Sequence, residues 1–171
     1  MTKGVKVRLN LKSLRNALRK QIINEQTERL VAYARDELFE MILTRDFHSR
    51  TYNLADSYVY AVYFDGKEQK HGFVGGKKAS KPSLLHEWSS DPSKRIPVEG
   101  RKEANAFLQS YSMHVPKDGW VVVWAACAPY ARYLDPSAGS SKTNRFFVIS
   151  QRYDHIRDTF GKKGKVIFKV A

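Results

Sequence analysis

GWVVVWAACAPYARYLD, residues 119–135, is the most apolar and most sharply punctuated stretch of the chain. In extended backbone Trp120, Val122, Trp124 and Ala126 share one face while Val121, Val123, Ala125 and Cys127 share the other. Both faces need cover, so the stretch reads as a central strand. Pro129 has no N–H for a ladder and biases its predecessor toward extended backbone, which ends the strand at Ala128-Pro129. The Tyr130-Ala131-Arg132-Tyr133 run then carries two rings and a guanidinium toward a loop of Asp135, Pro136, Ser137, Gly139 and Ser140. Such a tip suits contact with something outside the fold.

Working outward, Val5, Val7 and Leu9 alternate with Lys6 and Arg8 as a short half-exposed strand, and Asn10 is placed to cap a helix. From residue 11 the apolar positions Leu14, Leu18, Ile22, Leu30, Val31, Ala34, Leu38 and Ile42 follow a helical stripe. The stripe weakens over residues 24–29, where a kink, a break or a change of face is expected. No Pro or Gly occurs between Val5 and Tyr63. One long helix or two nearly collinear ones result, and roughly 30 residues would extend about 45 Å. Its end is expected near residues 47–52.

YVYAVYF, residues 58–64, is β-branched and aromatic, and Asp65-Gly66 behind it is a two-residue hairpin signal. The polar return strand, with Lys67 and Lys70, reads as a sheet edge. Residues 75–100 form a basic arm rich in Gly, Lys and Pro, with Leu84, Leu85, Trp88 and Ile96 as footholds. Ala104, Phe107, Leu108 and Tyr111 mark a short helix, and Phe146, Ile149, Tyr153, Ile156 and Phe160 mark another. Residues 165–170 close the chain as a strand. The fold class is therefore α+β: a long N-terminal helix packed on a small, mostly antiparallel sheet, with two shorter helices and an extended basic loop. At 171 residues this is one domain, 1–171, with a loop arm at 75–100.

A net charge of +13 and a pI near 9.9 imply a polyanionic partner or an assembly shaped by basic surface. One Cys excludes an internal disulfide and a thiolate zinc cluster, and its expected role is that of a small core hydrophobe. No apolar run approaches the ~20 residues a bilayer crossing needs, and the first ten residues lack the apolar core of a signal peptide. The chain is expected to be made in the cytosol.

Catalytic constellations are weak. His48 lies near Asp46, and His155 beside Asp154 and Asp158, but neither has a nucleophile or second carboxylate at a useful spacing. No catalytic residue, metal site or cofactor is expected. The residues 72–78, GFVGGKK, echo a phosphate loop without its spacing or its hydroxyl residue, and read as a turn. Basic side chains collect in loops: Lys77, Lys78, Lys81, Lys94, Arg95, Arg101, Lys102, Lys142, Arg145, Lys162, Lys163 and Lys165. Such residues hold phosphate without reading bases. Tyr58, Tyr60, Tyr63, Trp120, Trp124, Tyr130 and Tyr133 have a spacing that favours sheet core or subunit interface over base stacking.

Two segments carry a family resemblance. RTYNLADS, residues 50–57, resembles the Thr-Gly-Asn-Leu-x-x-Ser signature of the tail-completion family of tailed bacteriophages, the neck or head–tail joining proteins. PYARYLD, residues 129–135, is similar to that family's Tyr-Ala-x-x-x-Glu segment. Tyr52 stands where the family has Gly, and Asp135 stands for Glu. The order of elements is also similar over nearly the whole chain. The resemblance implies a non-enzymatic virion protein, assembled in the host cytoplasm into a hexameric or dodecameric ring between portal or adaptor and tail proteins. Double-stranded DNA would pass through the bore, with no membrane involved. It assigns Thr51, Asn53, Leu54, Ser57, Pro129, Tyr130 and Tyr133 to fold and subunit interface. The loop cations Lys77, Lys78, Lys81, Lys94, Arg95, Arg101, Lys142 and Arg145 would touch DNA or an acidic partner ring. The alternative is a monomeric protein that binds nucleic acid regardless of sequence, with the aromatic sheet as its platform. A small nuclease is a third reading, dependent on His48 or His155.

Overall fold

The computed structural model describes residues 10–43, 53–73, 83–84, 97–128 and 152–160. Its architecture is α+β. Helix α1 (Leu11–Leu43) leads through the single-turn α2 (Asn53–Asp56) into the hairpin β1 (Tyr58–Phe64) and β2 (Lys67–Phe73). A two-residue ladder, β3 (Ser83–Leu84) with β4 (Pro97–Val98), precedes α3 (Gly100–Tyr111). Strand β5 (Trp120–Ala126) and helix α4 (Tyr153–Phe160) complete it.

The start of α1 follows from Asn10, whose side-chain oxygen accepts the Ser13 N–H at 3.1 Å and satisfies one of the orphan donors of the first turn. The helix then runs unbroken for 33 residues, about 50 Å. Of the three outcomes open at residues 24–29, the change of face is the one observed. Thr27, Val31, Ala34, Glu37, Leu38 and Met41 are buried, whereas Leu11, Leu14, Leu18 and Ile22 are exposed. At about 100° per residue the two rows lie on roughly opposite sides of the helix. Among the described residues, every buried side chain of α1 comes from Thr27 onward.

The three-stranded sheet has the order β2-β1-β5 and is antiparallel throughout. This corrects one expectation. The central strand is β1, and β5 is an edge among the described residues. Six of the seven β1 residues are buried while every β5 residue is only half-buried, because β1 alone has a strand on each side. The two-faced reading of β5 does hold. Tyr58, Tyr60, Val62, Trp120, Val122, Trp124 and Ala126 pack with α1 and with Ile156 and Phe160 of α4. Val59, Ala61, Tyr63, Val121, Val123, Ala125 and Cys127 pack on the other face with Ala104, Phe107, Leu108 and Tyr111 of α3 and with Val115.

The hairpin turn is the one its sequence demands. Asp65 and Gly66 have φ of 49° and 74°, the pair of positive values that a type I′ turn needs. Asp65 also exchanges hydrogen bonds with Gly119: its N–H donates to the carbonyl at 2.9 Å and its carboxylate accepts the N–H at 3.0 Å. The turn thereby fixes where β5 begins. In the β1–β2 ladder Val62 faces Lys70 and Tyr63 faces Glu68, so Gln69 is the extra residue of a bulge. The exposed β2 is the expected edge, and its Lys70 Nζ reaches both carboxylate oxygens of Glu28 on α1 at 3.0 Å.

The strand expected before residue 10, the stop of α1 near 47–52, the loop after Ala128 and the closing strand lie outside the described residues. So does most of the 75–100 arm, although β3 and β4 show that its two flanks pair with each other.

Gly72 sits under the ring of Tyr60, and a Cβ there would lie 2.6 Å from Cζ and 2.9 Å from Cε1. Tyr60 is buried and cannot swing clear. Gly72→Ala is expected to lower stability by about 1–3 kcal/mol through overpacking, read as a reduced denaturant midpoint with an unchanged slope.

Candidate interaction surfaces

At one end of the sheet the last residue of the first signature-like segment meets the strand that precedes the second. Residue 57 closes the first segment and residue 129 opens the second, and between them Cys127 N–H donates to the Ser57 carbonyl at 3.1 Å. Tyr58 faces Ala126 in the ladder one step further in. Ala55, Asp56 and Ser57 are all buried, as is Ala128. Helix α3 reaches the buried Asp56: Arg101 brings its guanidinium to 3.9 Å from the carboxylate. The same guanidinium lies 5.0 Å over the Phe73 ring, a cation–π arrangement. Arg101 is thus an exposed side chain that also braces the junction.

Of the other residues assigned from sequence, Asn53 and Leu54 form the first turn of α2, and Ser57 follows it. Thr51, Pro129, Tyr130, Tyr133, Lys77, Lys78, Lys81, Lys94, Arg95, Lys142 and Arg145 lie outside the described residues. So does His48.

Four of the candidate aromatic side chains, Tyr58, Tyr60, Tyr63 and Trp124, are core rather than platform. Tyr58, Tyr60 and Tyr63 are buried. Trp124 Nε1 donates to the Ala34 carbonyl of α1 at 2.9 Å, and its ring meets Tyr33 edge-on at 6.1 Å. Tyr33 in turn meets Phe160 at 5.0 Å. These rings lock α1, β5 and α4 together and are not open for base stacking.

Sequence reasoning missed one polar centre. Glu37 is buried on the sheet-facing side of α1, accepting from Arg152 Nε at 3.0 Å and from Arg152 Nη2 at 3.1 Å, with His155 Nε2 at 3.3 Å. A forked guanidinium–carboxylate pair gives geometry as well as energy, and here it clamps α4 onto α1. The available signal was a carboxylate on the apolar stripe, between Ala34 and Leu38. His155 is therefore a structural neighbour of a buried carboxylate. Among the described residues, no group of three or more His, Cys, Asp or Glu side chains could hold a metal ion.

Burial controls the weak acids of the core. It pushes the Cys127 thiol from 9.0 up to about 12, with Glu103 adding to the effect. Burial likewise raises the Tyr33 phenol from 10.0 to about 12, with the Glu37 charge adding to it, and the Tyr63 phenol from 10.0 to about 12, with Glu68 adding to it. A thiol held neutral in this way is a poor nucleophile.

A groove opens at the opposite end of the sheet from the Ser57–Cys127 junction. It has a volume of about 500 Å³ and is lined by Leu11, Leu14, Arg15, Leu18, Arg19, Ile22 and Ile23 of α1 together with Phe64 and Trp120. Phe64 and Trp120 pair across the strands with ring centroids 4.6 Å apart. The groove is apolar except for its two guanidinia. No described helix is long and apolar enough to cross a membrane. Comparison of the chain with family models, curated proteins and solved structures returned no match.

Two outcomes follow. Glu37→Gln is expected to cost about 1–3 kcal/mol by leaving Arg152 without its charged acceptor, and to release amide protection in α4 before the rest of the fold. The three acids give an alkaline dependence. The unfolded chain loses these protons first, so their contribution is intact below about pH 9 and is lost as pH climbs toward 12. Thermal midpoints should fall across that window, and Cys127→Ala should make the fall shallower.

Proposed function

We propose that the chain is a structural virion protein of the head–tail connector of a tailed bacteriophage, one copy of a ring through which double-stranded DNA passes. The observation that carries this reading is the hydrogen bond from Cys127 N–H to the carbonyl of Ser57. Ser57 is the last residue of the first signature-like segment, and Cys127 stands two residues before the second begins. A contact between residues that border two segments so far apart in sequence supports reading them as parts of one signature.

The physical character of the chain supports the same reading. A charge of +13 gives affinity for a polyanion without any device for reading bases, which suits a passage for DNA. Apolar side chains left uncovered on α1 suit a subunit that completes its burial against neighbours in a hexameric or dodecameric ring. Portal or adaptor proteins on one side and tail proteins on the other are the further partners, and the virion neck is the location. The competing reading, a monomer that binds nucleic acid regardless of sequence, shares the charge, but Tyr58, Tyr60, Tyr63 and Trp124 of its stacking platform are packed in the core.

Imaging of the native particle tests the proposal: the protein is expected as a ring on the tail axis around the genome's path, and an isolated copy away from that axis overturns it. In solution, retention of double-stranded DNA should be indifferent to sequence, and log affinity should fall linearly with log salt concentration in filter-binding assays.

A further inference from the structure

The first third of α1 carries an apolar row that no described residue covers. Leu11, Leu14, Leu18 and Ile22 are 50–71 % exposed and form one wall of the groove closed on its other side by Phe64 and Trp120. The far end of the same helix presents a ridge of complementary character. Phe39 is 49 % and Leu43 60 % exposed, and Asp36 and Glu40 are exposed beside them.

Charge is segregated along the helix in the same way. Residues 11–23 hold Lys12, Arg15, Arg19 and Lys20 and no carboxylate. Residues 24–43 hold five carboxylates, Glu25, Glu28, Asp36, Glu37 and Glu40, against Arg29 and Arg35. The two ends also match in spacing. Arg15 and Asp36, Leu18 and Phe39, Arg19 and Glu40, and Ile22 and Leu43 are each 21 positions apart, three heptads, which returns a residue to the same place on a helix seam. Two α1 helices running parallel with that offset, about 32 Å, bring basic side chains level with acidic ones and apolar side chains level with apolar ones.

The geometry points to a second copy of this chain as the occupant of the groove, docked head to tail, with the acidic end of α1 from one copy lying in the basic apolar groove of the next. Two ion pairs that these residues make within one copy, Arg19 with Asp65 at 3.8 Å and Arg35 with Asp36 at 3.1 Å, are exposed and are exchanged at little cost. An unshifted parallel pairing sets four cations against four cations and is disfavoured. A head-to-tail contact leaves one groove and one ridge open on every copy added, so association continues past two copies, into a ring where the rotation between copies closes and into an open filament where it does not. The inference names the subunit contact, and it rests on the ring reading only for that closure.

A disulfide trap tests it. Leu18→Cys and Phe39→Cys are combined in a Cys127→Ala background. The two new thiols are about 32 Å apart on one helix and cannot bond within a copy. Mild oxidation of the full chain is expected to give a ladder of covalent multimers beyond two copies, which either single-cysteine variant does not give. A product that stops at two copies indicates a two-fold antiparallel pair and overturns the head-to-tail arrangement. A product that stays monomeric overturns the second copy as occupant and leaves the groove to a foreign acidic helix. Charge reversal provides the independent arm: Arg15→Glu with Arg19→Glu should reduce the native mass toward 19.7 kDa, and adding Asp36→Lys with Glu40→Lys should restore it. Failure of restoration sinks the pairing even if the single set weakens assembly. Unchanged circular dichroism and thermal midpoint show that each variant folds. A ladder formed by a protein that imaging places outside a phage neck leaves this contact standing and removes only the ring's proposed location.

Discussion

Strand β1 has almost no solvent face, and the rest of the fold is arranged to make that possible. Its Tyr58, Tyr60 and Val62 side chains need an apolar layer above the sheet, while Val59, Ala61 and Tyr63 need another below. Leaving either face in water would forfeit roughly 1.5–3 kcal/mol for each large side chain. The second half of α1 with α4 supplies one layer, and α3 with Val115 supplies the other. The flanking strands then have different duties. β2 is polar and closes one edge with charge, whereas β5 extends both apolar layers.

Polar contacts decide how these layers are joined. Asp65 sets the start of β5 through Gly119, Trp124 hangs β5 from the Ala34 carbonyl, and Glu37 holds Arg152 and with it α4. Each is a partly or wholly buried group whose partner comes from a distant part of the chain. An unpaired group at any of these places would cost more than its hydrogen bond contributes, so each contact specifies an arrangement as well as stabilising it.

Among the described residues, the side chains by which α1 is buried all lie in its second half. Helices of this length gain most of their stability from tertiary packing of an apolar face, and the first third of α1 has leucines without such packing inside the described residues. The same segment carries cations and no carboxylate, while the anchored portion is acidic. An element that is apolar and charge-segregated in this manner suits the head-to-tail contact proposed above, and its position beside Phe64 and Trp120 makes it one wall of a groove.

Local signals were enough for the elements themselves. Asn10 as a cap, Asp65-Gly66 as a type I′ turn, the i, i+3, i+4, i+7 pattern of α3 and the alternating faces of residues 120–127 all depend on neighbours in sequence, and all were legible there. The two-sided apolarity of β5 also showed that both of its faces need cover. Periodicity could not say which apolar strand is central, because β1 and β5 carry the same pattern and only pairing puts β2 beside β1. Nor could it separate the two rows of α1 into one that packs and one that does not, or explain Glu37 on an apolar stripe, since its partner Arg152 lies 115 residues away. The contact of Ser57 with Cys127 belongs to the same class. Patterns within a segment determine which faces are apolar, but what each face meets is settled by contacts between residues that the chain holds far apart, and those exist only once it has folded.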